Sequence, residues 1–134
     1  MIYNDEKYKK WNEYFTIQGL KDVYLQDSYV LKIDKGPDHI SFFMDFVLME
    51  THSKYINYHP GEQYCYRRGV IEFAVVEKVN KFYNSFMVFS DLSEEADMGN
   101  IDVFLWKGKR YILQGDWGEL DVECERVMVY LYDS

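Results

Sequence analysis

The segment from residue 58 to residue 68 concentrates side chains that could do chemistry. It holds one histidine, one carboxylate, one thiol, two guanidinium groups and three phenols within eleven residues. The five that could bind a ligand are His59, Glu62, Tyr64, Arg67 and Arg68. Small-molecule sites are common at the mouths of β-barrels, so the segment indicates a small-ligand or metal-binding pocket. The favoured interpretation, however, is that its Tyr and Arg side chains cover a sheet and pair with its acids.

A metal or a cysteine nucleophile is not favoured in this segment. His52, His59 and Glu62 are irregularly spaced and match no zinc pattern. Cys65 falls inside a predicted strand, away from any helix N-terminus that would activate its thiol. We therefore predict no metal and no cofactor here.

A second candidate is the acidic loop from Asp91 to Asp102. Oxygen-bearing side chains stand at its first, third, fifth, seventh and twelfth places, as in calcium-binding loops: Asp91, Ser93, Glu95, Asp97 and Asp102. Ala96 occupies the place where that helix-loop-helix motif needs Gly, and strands are predicted on both sides. The loop is a weak calcium candidate, and a solvated loop whose acids cap local turns is the favoured interpretation.

A third candidate is the tight turn from Gly115 to Gly118, with Trp106 predicted nearby across a hairpin. Tryptophan is favoured at the centres of binding interfaces, so Asp116 and Trp117 could form a recognition surface. Trp117 could equally fold back as a lid over the core. The sequence leaves both interpretations open.

Negative charge is concentrated toward the C-terminus. Residues 90–134 contain 11 acids and 4 bases, whereas residues 1–89 contain 12 acids and 11 bases, within a net charge of −8. Glu119, Asp121, Glu123 and Glu125 alternate with apolar residues, which predicts a strand with one wet, acidic face. Such a face suits a basic protein partner and disfavours nucleic acid, whose phosphates need Lys and Arg. An acidic face that serves only solubility is the alternative.

Composition and periodicity predict a mainly β fold. Tyr, Phe, Val and Ile are abundant and Ala is rare, which favours pleated, half-buried surfaces. Apolar residues alternate along several segments that are separated by Gly-containing turns. We expect about seven or eight antiparallel strands. They would form a curved sheet, a sandwich or a partly open barrel, with one N-terminal helix.

The predicted helix runs from Asn4 to Leu20, where Trp11 and Phe15 recur at helical spacing. Residues 40–48 are apolar on most of both sides, which predicts a central strand. A second long strand is predicted from Tyr64 to Val79.

One domain covering residues 1–134 is expected, because the chain has the usual length of a single domain. No apolar run approaches the roughly 18 residues needed to cross a membrane, and the first residues lack a signal-peptide pattern. The cytoplasm is therefore the expected location, without a membrane partner. Cys65 and Cys124 are predicted to be small buried residues, with a disulfide between them as the alternative.

Three landmarks follow one another along the chain: Glu62-Gln-Tyr-Cys-Tyr-Arg-Arg-Gly69, Gly99-Asn-Ile-Asp102 and Gly115-Asp-Trp-Gly118. With them, residues 22–132 resemble a group of small, uncharacterised bacterial proteins that have the same order of landmarks. More loosely, an acidic, β-rich chain of this length is similar to the immunity proteins that neutralise polymorphic toxins. The first resemblance implies no activity, and the second implies a protein partner without assigning a site.

Three functional hypotheses follow. The leading one is a non-enzymatic, immunity-like protein-binding module with an acidic C-terminal face, since no nucleotide-binding loop, nucleophile elbow or pair of catalytic histidines occurs. The second is a small-ligand or metal-binding domain with a pocket around His59 to Arg68. The third is a structural subunit that self-associates through exposed aromatic residues: Tyr24, Phe43, Tyr130 and Tyr132. The sequence leaves the oligomeric state open.

Overall fold

Seven antiparallel strands form one open sheet in the part of the chain that the structure describes. This computed structural model describes residues 8–57, 64–85 and 98–133. The strands are β1 Asn12–Glu13, β2 Tyr29–Lys35, β3 His39–Leu48, β4 Cys65–Asn84, β5 Ile101–Lys107, β6 Arg110–Gly115 and β7 Gly118–Leu131. Their order across the sheet is β1-β5-β6-β7-β4-β3-β2, so β1 and β2 lie at its two edges. The predicted mainly β, antiparallel fold is therefore confirmed.

The N-terminal helix predicted from Asn4 to Leu20 is wrong over residues 8–20, and residues 4–7 lie outside the described ranges. The stretch instead contains β1 and a 3-10 turn at Tyr14–Thr16. β1 pairs with β5, and Trp106 of β5 donates its Nε1–H to the Thr16 hydroxyl at 2.9 Å. These contacts outweigh the weak helical preference of the segment, which contains no Ala and several aromatic residues. Among the described residues, no helix is long and apolar enough to span a membrane.

The predicted turns connect neighbouring strands. Residues 36–38 join β2 to β3, the Gly108 turn joins β5 to β6, and residues 116–117 join β6 to β7. β3, which is apolar on most of both sides, lies between β2 and β4 as predicted. Local turn residues and a period of two were therefore sufficient to predict these hairpins.

β4 and β7 are the longest strands, with 20 and 14 residues, and they carry the bend of the sheet. β4 pairs with β3 only as far as Ala74, whereas its pairing with β7 continues to Asn84. The register shifts between Val76 and Lys78, which is the signature of a β-bulge and bends the strand. Just before this shift, Val75 adopts a φ of 54°.

The concave side of the sheet holds the core. The Phe42 ring of β3 contacts the Trp117 ring of the β6–β7 turn, with ring centroids 4.8 Å apart, although their strands are not neighbours. Phe73 of β4 likewise contacts Tyr111 of β6 at 5.5 Å between centroids. Four buried residues from the chain before β2 pack on the same core: Ile17, Leu20, Val23 and Leu25. The sheet is thus covered by its own far half and by the N-terminal segment.

Two of the sequence landmarks meet at one end of the sheet. A Cβ on Gly115 would stand 2.0 Å from the carbonyl oxygen of Asn100, and a Cβ on Gly118 would stand 1.8 Å from that of Tyr83. Gly118 also has a φ of 140°, which side chains disfavour. These positions need Gly because two stretches of backbone touch there.

The edge strand β2 is tied to the chain that precedes β5. The N–H of Val30 donates to the Gly99 carbonyl at 2.8 Å, and the N–H of Met98 donates to the Val30 carbonyl at 2.9 Å. The Asn100 side-chain amide also donates to the Gln26 carbonyl. These bonds bring the two ends of the open sheet together without pairing β2 with β5.

Both cysteines are free and buried, which confirms the prediction of small packing residues and contradicts the alternative of a disulfide. Burial raises the pKa of the Cys124 thiol to about 11. Cys124 therefore stays protonated at neutral pH and acts as an apolar core residue.

Val75→Gly is expected to stabilise the protein by about 1 kcal/mol, because glycine relieves the strain of a β-branched residue at positive φ. Val75 is 40% exposed, so the substitution removes little packing. Urea unfolding measures the change. The matched control is Val79→Gly, at 37% exposure in the same strand and without positive φ. That control is expected to cost about 1 kcal/mol, and equal effects at both positions would contradict the strain.

Gly118→Ala is expected to destabilise the protein by more than about 3 kcal/mol, because the added Cβ overlaps the Tyr83 carbonyl. At Gly108 a Cβ would meet nothing within 4 Å, although φ is 60°. Gly108→Ala should therefore cost only the backbone penalty of about 1 kcal/mol. Thermal and urea unfolding of both variants test the difference, and similar losses would show that close approach is not the reason for Gly118.

Candidate functional site

A cleft lies where β3 ends and β4 begins. Its volume is about 450 Å³, and eight of the described residues line it: Tyr24, Leu48, Met49, Glu50, Thr51, Tyr55, Tyr64 and Cys65. Tyr24 and Tyr64 are 48% and 39% exposed, whereas Leu48 and Cys65 are buried. The cleft therefore presents three phenol rings, a carboxylate and a hydroxyl beside buried apolar residues.

Tyr24 is held in place by a buried hydroxyl group. Its N–H donates to the Val47 carbonyl at 2.9 Å, and its carbonyl accepts the Ser28 hydroxyl at 2.7 Å. The Ser28 Oγ in turn accepts the N–H of Val47 at 2.9 Å. Ser28 has no exposed surface, so water does not compete for these bonds. This wall of the cleft is fixed to β3.

The loop of residues 49–57 forms the opposite wall and is pinned by Asp22. The N–H of Met49 donates to the Asp22 carbonyl at 2.9 Å. The Thr51 hydroxyl donates to the Asp22 carboxylate, also at 2.9 Å. The loop is thus attached to the same N-terminal segment that carries Tyr24, and both walls are preorganised.

A turn centred on His52 positions the ring of Tyr55. The N–H of Lys54 donates to Nδ1 of His52 at 3.0 Å, and the N–H of Tyr55 donates to the His52 carbonyl at 3.0 Å. Burial lowers the pKa of His52; the Asp22 carboxylate opposes this shift, and the charges of Lys54 and Arg67 add to it. The turn therefore uses the neutral form of His52, whose Nδ1 is free to accept a hydrogen bond.

The charged side chain that lines the cleft is a carboxylate, and the two cations that contact the loop, Lys54 and Arg67, are not among the lining residues. Glu50 lines the cleft, and Asp22 brings a second carboxylate to the loop. The loop's own cation, Lys54, forms an ion pair with Asp133 at 3.1 Å. Aromatic faces attract cations, and carboxylates add Coulomb attraction. The lining is therefore suited to an organic cation.

Tyr64 is the predicted pocket residue that lies in this cleft. Its ring contacts that of Tyr66 edge-on, with centroids 6.1 Å apart, and it thereby stands beside the first residues of β4. His59 and Glu62, the other predicted residues before β4, lie outside the described residues.

The two predicted arginines serve opposite faces of β4. Arg67 donates to the carbonyl oxygens of Tyr132 and Lys54, at 3.0 and 3.4 Å, and so clamps the loop to the residue that follows β7. Arg68 is exposed on the other face, because successive side chains of a strand alternate, and it lies across from Asp45 of β3. The structure therefore does not bring these guanidinium groups together in one pocket.

The carboxylates of the predicted acidic face lie in a row on β7: Glu119, Asp121 and Glu123. Lys81 pairs with the first at 2.7 Å, and Arg110 donates two hydrogen bonds to the second, at 2.9 and 2.7 Å. Asn80 donates to the second and third, at 3.2 and 3.0 Å. Glu125, the fourth predicted acid, is exposed.

The charge of this row is therefore balanced by its neighbours. Burial opposes the ionisation of Asp121, but hydrogen bonds from Arg110 and Asn80 outweigh burial and lower its pKa. The positive charge of Lys78 lowers it further. A partner that approaches this face meets carboxylates that already have cations or amides beside them.

The turn candidate separates into one buried and one exposed residue. Trp117 has no exposed surface and packs on Phe42, and its indole N–H has no hydrogen-bond partner among the described residues. Asp116 is exposed at the same turn. Of the two interpretations of Trp117, the structure places it in the core.

Asp102 is the member of the predicted calcium loop that the structure describes; Asp91, Glu95 and Asp97 lie outside it. Burial raises the pKa of Asp102, and the nearby carboxylate of Asp116 raises it further. Across residues 8–57, 64–85 and 98–133, no group of three or more His, Cys, Asp or Glu side chains is placed to hold a metal ion.

Most residues of the cleft were not predicted from the sequence. Glu50, Thr51 and Tyr55 were not identified, and Tyr24 was considered only as an exposed aromatic residue. The signal available in the sequence was the occurrence of Tyr in predicted loops, where the packing of a strand does not explain an aromatic residue. That signal does not show that two distant loops meet.

Comparison with known proteins finds no match: no protein-family model, no curated protein and no solved structure matches the chain.

Acidification from about pH 7 to about pH 5 is expected to weaken the turn at His52. Because its folded pKa is below the usual 6.5, its contribution is complete above that pH and is lost as the pH falls toward the folded pKa. His52→Asn keeps an acceptor for the Lys54 N–H but does not titrate, so the variant should lose less stability on acidification.

Urea unfolding at each pH measures this difference. His39, whose pKa is raised by its hydrogen bond to Asp34, has the opposite dependence: its contribution is present below pH 6.5 and is lost as the pH rises through its folded pKa. It is present in both proteins and cancels. An equal loss in the wild type and in His52→Asn would contradict the prediction.

Proposed function

We propose that this protein is a binding module whose cleft holds a cationic side chain, Arg or Lys, of a basic protein partner. The observation that carries the proposal is the lining of the cleft by three phenol rings together with the Glu50 carboxylate. A volume of about 450 Å³ is within the range of ligand sites and accommodates a long side chain.

Cation recognition follows from the chemistry of the lining. A guanidinium or ammonium group over an aromatic face gains about 0.5 to 2 kcal/mol, with the larger value when water is excluded. Glu50 and Asp22 favour a cation and repel an anion. The walls are already held by Ser28 and Asp22, so binding orders few additional groups.

The cleft, rather than the acidic strand, is the proposed contact. Asp121 is paired with Arg110, and Glu119 is paired with Lys81, so the field of that face is weakened locally. An immunity-like role requires a protein partner, and a basic partner is the kind that fits the charge of this cleft. The proposed location is the cytoplasm, a reducing compartment that suits two free thiols.

Titration with Nα-acetyl-arginine amide tests the proposal, with Nα-acetyl-citrulline amide as a neutral probe of nearly the same shape. We expect NMR shifts for the rings of Tyr24, Tyr55 and Tyr64, with a Kd of about 1 mM for the arginine probe. The citrulline probe should bind at least about tenfold more weakly. Equal binding of the two probes would contradict charge recognition, and shifts confined to other residues would contradict the cleft.

Glu50→Gln is expected to weaken binding of the arginine probe about tenfold and to leave the citrulline probe unchanged. The matched control is Glu125→Gln, which removes the same charge from an exposed position on β7. Charge reversal by Glu119→Lys with Glu123→Lys should also leave binding intact at low salt. Loss of binding in that double variant would show that the partner contacts the acidic face of β7 instead of the cleft.

A further inference from the structure

The outer face of the sheet carries an apolar row that crosses three strands. Phe43 of β3 lies opposite Val70 of β4, which lies opposite Tyr130 of β7. Their immediate neighbours in the chain, such as Phe42 and Ile71, are fully buried on the concave side, so the row points outward. Phe43, Val70 and Tyr130 are hereafter the apolar row.

This row is only partly covered by its surroundings. Phe43 and Val70 are half-buried, and Tyr130 is 52% exposed. Lys32 lies over the Phe43 ring at 5.8 Å, and the Tyr130 hydroxyl donates to the sulfur of Met128 at 3.3 Å. The outward face of an antiparallel sheet normally carries polar residues, which alternate along each strand with the apolar residues of the core face. Contiguous apolar side chains on the outward face therefore indicate a contact surface.

The charges that flank the row are arranged to complement a second copy. Along β4, Arg68 precedes Val70 by two residues and Glu72 follows it by two, and all three share the outward face. Consider two copies whose outward sheet faces meet, related by a two-fold axis that is parallel to the apolar row and lies midway between the sheets. The β4 strands of the two copies then run in opposite directions. Val70 then faces Val70, and Arg68 of each copy faces Glu72 of the other.

Two further facings follow from the same axis. Asp45, across from Arg68, would face Ser41, a small residue across from Glu72. Tyr130 would lie against Tyr130 of the second copy, and aromatic pairs are favoured at interfaces. These facings on β3, β4 and β7 create no like-charged pair. At the β2 edge, Lys32, which lies opposite Phe43 and over its ring, would face Lys32 of the second copy.

We propose that this face is an interface between two copies of the chain, with Val70 at the two-fold axis and Arg68 of each copy opposite Glu72 of the other. The apolar row shares no residue with the cleft, so the two proposals stand or fall separately.

Sedimentation equilibrium from about 10 µM to about 1 mM at low salt tests the interface. The apparent mass of the wild type should rise from the 16.2 kDa of one chain toward twice that value. Arg68→Glu leaves carboxylates at both position 68 and position 72, and Glu72→Arg leaves guanidinium groups at both positions. Each variant alone should therefore dimerise at least about tenfold more weakly than the wild type.

The decisive measurement is an equimolar mixture of these two variants. In the mixed pair every carboxylate at positions 68 and 72 faces a guanidinium group, so association should return to about the wild-type level. Lys107→Glu and Glu125→Arg, the same charge changes away from the row, should dimerise as the wild type does. Folding of every variant is checked by circular dichroism and thermal unfolding.

A second pair of variants avoids placing a carboxylate beside Asp45. Val70→Lys and Val70→Asp should each prevent self-association, because each puts like charges at the axis, and their mixture should associate. A wild type that stays at the mass of one chain at all concentrations would overturn the proposal. A dimer that persists in the single variants, or mixtures that associate no better than their components, would overturn it as well.

Discussion

β4 and β7 pair along most of their length, from Gly69 opposite Leu131 to Asn84 opposite Gly118, and this pairing joins the two halves of the sheet. β3 and β2 stand on one side of it, and β6, β5 and β1 stand on the other. A single sheet can bury an apolar face only if it is covered or curls over itself. The bulges in this pair, together with the positive φ of Val75, provide the curvature that brings the two halves together over one core.

The cleft depends on the same curvature. β3 ends at Leu48 and β4 begins at Cys65, and the chain before β2 crosses this end of the sheet to cover the core. Tyr24 is brought beside the loop that follows β3 by this crossing. The hydroxyl of Ser28 and the carboxylate of Asp22 then attach both walls to the backbone. The site is therefore positioned by buried and loop hydrogen bonds, which reduces the entropy that a ligand must remove.

Net charge and local charge give different answers about binding in this protein. The net charge of −8 and the acidic C-terminal third point to β7 as a face for a basic partner. Cross-strand neighbours change that expectation, because Lys81 and Arg110 stand next to Glu119 and Asp121. At the cleft the opposite holds: Glu50 stands apart from the acidic C-terminal third, yet the described residues that line the cleft with it include three tyrosines and no Lys or Arg.

The sequence by itself determined the mainly β class, the turns between neighbouring strands, the position of β3 between two other strands and the burial of both cysteines. These features depend on alternation and on turn residues, which act over a few positions of the chain. Only the tertiary structure decided that the segment from residue 8 to residue 20 is not a helix and that Trp117 is buried. It alone brought Tyr24, Glu50 and Tyr64 to one cleft, because contacts between distant segments depend on strand order and curvature, which no local pattern encodes.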